Sequence, residues 1–588
     1  MTNIRRQTWT RRLRISPGFV FCCFLVSPAF AASSLSGSVL DPNGSVVPGA
    51  TLRLSGLADS SGNSTRSDGK GQFFFGNLSP GEYKLTAEFP GFAPVTRNLV
   101  LADKPDQTEI IHLVAISGQN ESVIVTADVN EMNILAPDPG GQVYLTQDLL
   151  DPNSGRPGAP VSIPGYSAET ASGGIKAPQY FAPGVAGDHG EPIAQYIQVG
   201  SYLVPNNLSA NAHGNGYSDP NILIGDVIES VQVDGGAYNV REGNHALNLA
   251  TVYGLHSHLS PFINLTTDYR DATVTAGISP SPDSWAAVEG SFRNGFLNRL
   301  EHRKQFKFNG GRIVHVGDHT LGLFGIAYFG SGYVAGLTPI FGFNSVDVAA
   351  GWKAYPDTID PRQKDQTHTA LVALHDVWKL SSQQELQFSG FFRTYNLALF
   401  SDFGLGLIRQ SEFRTVGGAN LTYVDKLGKW ISLLAGTDYE REAPRGDDLN
   451  HFNFFTPAAP SYYGPFVRIQ GNNVTIAPLT PFVAGEGDLG SHFRYYLGWR
   501  RDEIAINNQD LITPANSWNS RVGLNSPKAT FTLLPGTWNA PLISFSFGKS
   551  FFTEDPRMGT GFANPIKPDP VESARSFQLV ASKVFPRN

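Results

Sequence analysis

The sequence predicts an all-β protein, mainly of antiparallel sheet. Its 588 residues include 62 glycines and 40 prolines, while charged residues make up 16% and aromatic residues 11%. Abundant turn formers and aromatic residues favour strands over helices. After the N-terminus no run of 18 apolar residues occurs, which argues against membrane-spanning helices. Many segments instead alternate between apolar and polar residues, as strands do.

The N-terminus is typical of an export signal. A positively charged start precedes the apolar stretch 19–26 and the small-residue site Ala29-Phe30-Ala31, which predicts cleavage after Ala31. Loss of five arginines with this signal peptide, residues 1–31, changes the net charge from −7 to about −12. An acidic mature chain argues against nucleic acid as a partner.

Cysteine usage excludes several kinds of chemistry. The two cysteines, Cys22 and Cys23, both lie within the predicted signal peptide. The mature chain is therefore expected to have no disulfide, no thiol chemistry and no cysteine metal site. We predict no cofactor.

Residues 33–116 show short strands separated by turn signals every 8 to 12 residues, as in a small β-sandwich. The order of Gly37-Ser38-Val39, Pro48-Gly49-Ala50, Asp68-Gly69-Lys70-Gly71-Gln72-Phe73 and Leu78-Ser79-Pro80-Gly81-Glu82-Tyr83 resembles the carboxypeptidase-regulatory-like domain. The resemblance implies a folding or interaction module without catalytic residues. The turn at Pro80-Gly81 is expected to place Tyr83 and Leu85 on the core face.

The run Glu121-Ser122-Val123-Ile124-Val125-Thr126-Ala127 is prone to form a strand. It is either the first strand of the next domain or a peptide that resembles the TonB box, which precedes the plug of TonB-dependent outer-membrane receptors. That resemblance implies that a periplasmic TonB-like energy-coupling protein binds this segment by β-strand addition.

The stretch from His213 to Leu255 resembles the end of a plug domain. Its alternating residues 227–233 predict a strand, and glycines break the pattern before an apolar alternation resumes over 247–252. The residues that carry the resemblance are Glu229, Val231, Val233, Gly235, Gly236, Gly243 and Asn244. An ordinary hairpin of a soluble β domain is the alternative. With the TonB-box segment, the plug domain is expected over 118–255.

From His258 to Asn588 the sequence favours an outer-membrane β-barrel. In Phe493-Arg494-Tyr495-Tyr496-Leu497-Gly498-Trp499-Arg500 apolar residues alternate with mostly cationic or small ones, which is the pattern of a lipid-facing strand. A soluble sandwich also alternates, but the aromatic share and the long polar loops expected at 341–366 and 442–460 favour the barrel.

The length of this region predicts an incomplete barrel. A lumen that holds a plug is associated with about 22 strands, whereas these 331 residues provide about 12 to 15 at roughly ten residues each. The expectation is a C-terminally truncated, antiparallel transmembrane β-barrel that would not insert as a stable monomer.

Residues with catalytic or metal-binding potential are sparse. His256 and His258 form only a weak two-ligand pattern, and the pairs Asp447-Asp448 and Asp502-Glu503 are expected at solvated loop or strand ends. No phosphate-binding loop, nucleophile elbow or zinc-protease helix occurs. The chain is therefore predicted not to be an enzyme and to have no metal site.

The resemblance as a whole implies a receptor in the outer-membrane lipid that imports an extracellular ligand by energised rearrangement of its plug. An oligosaccharide or another large nutrient is the ligand class suggested by analogy. Arg393, Arg494 and Arg500 are expected to face the lumen, where they line the path or form cross-strand ion pairs. The alternatives are a surface adhesion protein without transport and a non-functional receptor fragment.

Overall fold

The protein is described by a computed structural model that covers much of the chain after the predicted signal peptide. The described residues are 33–40, 46–56, 63–88, 92–93, 95–101, 106–115, 142–146, 167–169, 179–181, 193–199, 202–212, 215–234, 236–245, 249–281, 283–295, 300–334, 362–402, 407–428, 430–451, 466–490, 492–533, 541–557 and 570–582. The chain divides into two compact units, one formed by Met1–Glu88 and Pro94–Leu113 and the other by Phe89–Ala93 and Val114–Asn588.

The first unit contains two small sheets. Its strands are β1 (Ser33–Leu40), β2 (Thr51–Gly56), β3 (Asn63–Arg66), β4 (Gln72–Leu78), β5 (Gly81–Glu88), β7 (Val95–Leu101) and β8 (Asp106–His112). One sheet has the order β4-β1-β8 and the other the order β3-β2-β5-β7. The short strands β6 (Phe92–Ala93) and β9 (Val114–Ala115), which pair with each other, belong to the second unit.

Alternating residues of both sheets form the core of the first unit. Leu35, Leu52, Leu54 and Leu85 are buried. Tyr83 is only half-buried, and its hydroxyl donates to the carbonyl of Ser79 at 2.8 Å. The expectation that Tyr83 is a core residue was therefore only partly right, because its hydroxyl ties down the turn that precedes the strand.

A five-stranded sheet, which we call the plug sheet, lies in the second unit with the order β10-β17-β18-β13-β14. Its strands are β10 (Gln142–Thr146), β13 (Ile193–Val199), β14 (Tyr202–Pro205), β17 (Ile228–Asp234) and β18 (Leu249–Leu255). Further short elements are β11 (Ser167–Glu169), β12 (Gln179–Phe181), β15 (Asn207–Leu208), β16 (Tyr217–Ser218) and 3-10 helices at Pro220–Ile222 and Gly225–Val227. Val231 and Gln232 are both buried, so β17 has two covered faces.

A second sheet of 14 antiparallel strands, β19 to β32 in sequence order, follows within the described residues; we call it the barrel sheet. Its strands are β19 (Phe262–Thr267), β20 (Ala272–Ser281), β21 (Ser284–Arg293), β22 (Arg303–Val316), β23 (His319–Tyr333), β24 (Lys364–Lys379), β25 (Gln384–Asp402), β26 (Leu407–Lys426), β27 (Ser432–His451), β28 (Val467–Leu489), β29 (Phe493–Asp510), β30 (Trp518–Leu533), β31 (Leu542–Thr553) and β32 (Val571–Ser582), with a 3-10 helix at Pro514–Asn516.

The two faces of the barrel sheet have opposite chemistry. Outward-facing Phe388, Phe392 and Leu497 are 46%, 55% and 48% exposed, whereas the neighbouring Gln387 and Arg393 are buried. This apolar-out, polar-in pattern is the one that a strand facing lipid requires. The alternation predicted for Phe493 to Arg500, which lie in β29, is thus confirmed.

The barrel sheet curves around the plug sheet. Plug residues accept hydrogen bonds from, or donate them to, side chains of strands as far apart as β22 (Asn309), β26 (Arg414) and β31 (Thr553). In a flat sheet, strands as distant in the strand order as β22 and β31 could not all contact one small domain. The barrel sheet must therefore curve so that its inner face surrounds the plug sheet. No helix among the described residues has the length and hydropathy of a membrane-spanning helix.

Two sequence expectations about this sheet were wrong. Residues Glu442 to His451, expected as the first part of a loop, continue β27, because a register irregularity between Glu442 and Asp447 absorbs the turn-like residues Pro444 and Gly446. The pair Asp447-Asp448 therefore belongs to a strand. Asp502 and Glu503 also lie inside β29 rather than at its end.

Candidate functional site

The plug sheet packs against one side of the barrel sheet through apolar residues. We call the barrel sheet around the plug the wall. A continuous buried cluster joins plug residues such as Ile197 and Val231 to wall residues such as Phe324 on β23 and Leu371 on β24. Burial of this size is the main source of cohesion between two parts of a chain. This side, formed by β21 to β25, is closely packed, and polar groups of the wall bind the plug here too. Asn309 on β22 accepts a hydrogen bond from the nitrogen of Ile224 at 2.9 Å, and Arg393 on β25 donates to the carbonyl of Asn206 at 3.1 Å.

A hairpin formed by β15 and β16 projects from the plug sheet and is held by charged residues of the wall. Arg414 on β26 is fully buried, pairs with Glu412 and Glu442, and donates to the carbonyl of Ser209 at 2.5 Å. Glu442 in turn accepts a hydrogen bond from the backbone nitrogen of Ser209 at 3.0 Å. The wall thus binds the plug backbone through the ion triad Glu412–Arg414–Glu442, and all three of these side chains belong to the wall.

The same hairpin makes further polar contacts near its tip. Asn211 Nδ2 donates to Glu412 at 2.7 Å, and Asn215 Nδ2 donates to the carbonyl of Thr553 at 2.8 Å. Arg557 donates to the carbonyl of Asn211 at 3.0 Å. Polar groups of β26, β31 and the segment after β31 therefore hold the tip on several sides.

Two residues of this region have unusual backbone angles. Ala210 has φ 53° and His245 has φ 65°, a region that non-glycine residues enter only at a cost of roughly 1 to 3 kcal/mol. The two lie close together, since Ser209 Oγ is 3.3 Å from His245 Nε2. Strain of this kind persists only where the surrounding contacts fix the backbone.

The loop 236–245 is the second place where wall side chains hold the plug. We call this loop and the β15–β16 hairpin the two fastening points. Arg500 on β29 pairs with Asp502 and donates to the carbonyl of Val240 at 2.8 Å. The hydroxyl of Tyr496 accepts from the nitrogen of Val240 at 3.0 Å, and Lys528 on β30 donates to the carbonyl of Ala237 at 2.5 Å. As at the hairpin, the wall supplies the side chains and the plug supplies backbone groups.

A cavity of about 90 Å³ lies between these two fastening points. It is lined by plug residues, among them Tyr202, Leu203 and His245, and by residues of the wall. The wall residues are Asn420, Asp438, Tyr439, Glu440, Glu442, Ile476, Pro478, Thr480, Arg500, Asp502 and Phe551. We call the cavity and these residues the polar seam.

Burial shifts the pKa of several plug side chains. Burial raises the pKa of Asp219 to about 6, against the opposing effect of the Arg393 guanidinium. It also raises the pKa of Glu242, with the nearby Asp234 adding to the effect. Burial lowers the pKa of His245 to about 3, so its imidazole is neutral at physiological pH.

The predicted plug-motif residues occupy structural positions around this site. Val231 and Val233 are buried in β17, and Glu229 Oε2 lies 3.9 Å from His256 Nδ1. A Cβ at Gly243 would lie 2.3 Å from Arg500 Nη2, so glycine leaves room for that arginine. Asn244 Nδ2 donates to Thr553 Oγ1 at 2.9 Å.

Gly236, another motif residue, precedes Tyr238, whose ring would lie 2.3 Å from an added Cβ. The remaining predicted residues, Gly235, Glu121 to Ala127, Ala29 and Ala31, lie outside the described residues.

The three predicted lumen arginines are all buried on the inner face. Arg494 pairs with Asp488, as the ion-pair expectation had it. Arg393 and Arg500 instead reach the plug, Arg393 through Asn206 at 3.0 Å. Asp502 is fully buried and Glu503 pairs with Arg501, so the expectation of a freely solvated acidic pair was wrong.

Sequence reasoning did not find Glu412, Arg414, Glu442, Lys528 or the hairpin that they hold. A usable signal was present at Glu412-x-Arg414, because these charges flank Phe413, an apolar residue that is exposed on the outer face. Among the described residues, no group of three or more histidine or acidic side chains is arranged to hold a metal ion.

A small sheet enclosed by a large antiparallel sheet with a polar inner face is the fold of TonB-dependent outer-membrane receptors. Solved structures of such receptors match the chain. The ferric citrate transporter FecA is 13% identical with a TM-score of 0.54 over 70% of this chain. The ferric preacinetobactin receptor BauA from Acinetobacter baumannii is 14% identical with a TM-score of 0.52 over 75%. The copper transporter OprC is 11% identical with a TM-score of 0.54 over 75%.

The chain spans 63% of FecA, 68% of BauA and 69% of OprC. Residues 34–114 match the carboxypeptidase regulatory-like domain, which confirms the resemblance seen in the N-terminal sequence. Comparison with curated proteins gives no match. By their names, FecA and OprC are transporters and BauA is a receptor.

Proposed function

We propose that the protein is an outer-membrane receptor that binds an extracellular ligand and imports it by an energised rearrangement of the plug. The observation that carries the proposal is the way the plug is held. On the β26 to β31 side, wall side chains bind plug backbone groups by hydrogen bonds, with a cavity between the two fastening points. Such contacts can break and re-form without unfolding either sheet.

The hairpin tip provides a mechanism for sensing the ligand. Arg557, which follows β31, and Gln410, near the start of β26, donate to backbone carbonyls of the tip. A ligand that accepts hydrogen bonds from Arg557 or Gln410 competes with the hairpin carbonyls for these donors. Ligand binding then loosens the hairpin, because its strained backbone depends on those contacts.

The proposed energy-coupling partner is a TonB-like periplasmic protein that pairs with Glu121 to Ala127 by β-strand addition. The outward apolar face of the barrel sheet supports contact with outer-membrane lipid. The ligand class that we propose is a large nutrient, either an oligosaccharide or a metal chelate of the kind named for FecA and BauA.

The test uses cells that express the full chain and variants of the Glu121–Ala127 segment. Val123→Pro with Val125→Pro removes two backbone donors needed for strand addition, and Ser122→Ala with Thr126→Ala is the matched control. We expect the proline variant to bind labelled oligosaccharides or iron chelates at the surface but to import none. Import at the control rate by the proline variant would contradict the proposal.

The alternative of adhesion without transport predicts a different pattern. Ligand would be retained at the surface equally by all variants, and none of them, including the unaltered chain, would accumulate it internally.

A further inference from the structure

The loop 236–245 joins the paired strands β17 and β18 of the plug sheet. At its turn, the nitrogen of Glu242 donates to the carbonyl of Asn239 at 3.1 Å. Val240, inside this turn, packs among buried residues of β26 to β29. The groups at the base of the loop, where it meets the end of β17, therefore affect whether this fastening point keeps its place.

Two carboxyl groups meet at the base of the loop. The side chains of Asp234, the last residue of β17, and Glu242 are hydrogen-bonded to each other and are 7% and 1% exposed. Gln232 Nε2 donates to both oxygens of Asp234 at 2.9 Å, and the nitrogen of Asn239 donates to Glu242 Oε2 at 3.4 Å. Ionised carboxylates only accept hydrogen bonds, so the contact between these two carboxyl groups requires a proton on one of them.

A cation, Lys528 on β30, lies beside the pair but does not replace this proton. It donates to the carbonyls of Ala237 and Glu242 at 2.5 and 3.2 Å, and among the described residues it donates to neither carboxylate. With one proton on the pair, the two carboxyl groups and the ammonium group have no net charge. Without the proton they have one buried negative charge, which is unfavourable.

Other titratable groups face the pair from the neighbouring elements. Tyr196 on β13 and Tyr496 on β29 are neutral near pH 7. Arg500 and Asp502 on β29 pair with each other. Arg241, in the loop itself, donates to Gln387 on β25 at 3.5 Å. The charge at the base of the loop is therefore set mainly by Lys528 and the carboxyl pair.

We propose that Asp234 and Glu242 share one proton while the loop 236–245 is closed, and that opening of the loop releases this proton. In the open loop both carboxyl groups meet water and ionise separately above about pH 5. Because the closed loop then holds one more proton than the open loop, the opening equilibrium rises about tenfold with each pH unit.

The sign of this dependence follows from burial. Burial, with the nearby Asp234 adding to it, raises the pKa of Glu242. The closed loop is therefore stabilised at low pH, and this stabilisation is lost as the pH rises toward the raised pKa. A rearrangement of the plug that draws the loop into water is accordingly opposed by acid.

The experiment measures hydrogen exchange of amides 237–243 in the full chain from about pH 5 to pH 8, divided by the intrinsic exchange rates. Glu242→Gln is the test variant, because its amide group donates to Asp234 and accepts from Asn239 without a proton. Asp226→Asn is the matched control, since Asp226 is an exposed carboxylate of the plug.

We expect opening of the loop in the parent and in Asp226→Asn to rise by about tenfold per pH unit from about pH 5 upward. In Glu242→Gln it should change by less than about twofold per unit, because no proton is released. The same pH dependence in Glu242→Gln and the parent, whether steep or flat, would overturn the proposal.

Infrared spectroscopy of the full chain tests the proton directly. A protonated carboxyl group has a C=O stretch that a carboxylate lacks. At about pH 7 the parent should show one such band that Glu242→Gln loses and Asp226→Asn keeps. A parent without this band would contradict the shared proton. Neither measurement needs a ligand or an energy supply, so failure here is distinguishable from failure of import.

Discussion

At the scale of single residues, the charged groups that matter are those that bind plug backbone. Arg414 is fully buried with Glu412 and Glu442 against Ser209 and Ala210. A buried ion group of this kind adds little stability compared with an apolar core, but removal of one member leaves uncompensated charge. Its value here is positional, because it fixes the hairpin at one place on the wall.

Replacement of Arg414 tests this role. Arg414→Gln leaves two buried carboxylates without their cation, and we expect a loss of about 3 to 5 kcal/mol in the free energy that holds the hairpin in place. Hydrogen exchange of residues 207–212 in the folded protein measures it as faster exchange. Arg501→Gln is the control, since the Arg501–Glu503 pair is 38% and 31% exposed, and such pairs contribute less than about 1 kcal/mol. Equal effects of the two changes would contradict the role of Arg414.

Asp219 predicts a pH dependence of plug stability. Its pKa is raised to about 6 by burial, so the folded state holds the proton more tightly than the unfolded state. Its contribution is therefore fully present below about pH 4 and is lost as the pH rises to about 6. His245, whose pKa is lowered, acts in the opposite direction over an overlapping range.

Asp219→Asn separates these two effects. Asparagine keeps an acceptor for the nitrogen of Asn221 at the start of the 3-10 helix but cannot ionise. Relative to the unaltered protein, the variant should gain roughly 2 to 3 kcal/mol between pH 4 and pH 7. Urea unfolding of the plug at the two pH values measures the gain. A stability difference between variant and parent that does not change with pH would argue against a buried, costly carboxylate.

At the scale of elements, each barrel strand is defined by its two faces. Leu421 on β26 is 44% exposed on the outer face, whereas the next residue, Thr422, is fully buried on the inner face. The outer positions need apolar side chains only if lipid covers them.

A lysine scan tests that environment. Leu421→Lys should destabilise the protein in lipid bilayers by about 2 to 4 kcal/mol, because it places a charge deep in the apolar band, whereas Leu427→Lys in the turn after β26 should cost about 0 to 1 kcal/mol. The urea midpoint in vesicles gives both values. A small, equal cost for both lysines would indicate that water, not lipid, covers this face.

The sequence predicts these faces well and the strand limits less well. Period-2 patterns at residues such as Phe493 to Arg500 identify inward and outward positions, since alternation depends only on local geometry. Pro444 and Gly446 suggest a loop, yet β27 continues to His451. Pairing with β26 and β28 keeps these residues in a strand, and the local turn propensity of the sequence does not reveal this long-range pairing.

The candidate site was less predictable than the fold. Gly243 and Asn244 drew attention as motif residues, and both contact the wall. The polar seam depends on residues more than 200 positions apart, such as Leu203 and Glu440. Only the way in which the barrel sheet wraps around the plug brings them together.

At the scale of the whole molecule, the proposed function depends on a plug sheet held inside a curved sheet that has 14 strands in the described part of the chain. The elements of the proposed mechanism depend on that enclosure: the apolar cluster with β21 to β25, the hydrogen bonds from wall side chains to plug backbone, and the polar seam. The most direct test therefore measures whether a chosen plug residue lies against a chosen inward position of the wall.

Val240 and Gly498 provide that pair, since a Cβ at Gly498 would lie 2.3 Å from Val240 Cγ1. Val240→Cys with Gly498→Cys should form a disulfide, because the side chain of residue 240 lies directly against the position of a Cβ at residue 498, and both natural cysteines, Cys22 and Cys23, lie within the predicted signal peptide. Val240→Cys with Leu497→Cys, whose side chain points outward, is the control. If the plug lies inside the barrel sheet, a cross-link joins loop 236–245 to β29 in the first pair and the thiols of the second pair stay free. Free thiols in both pairs, or a cross-link in the control pair, would contradict it.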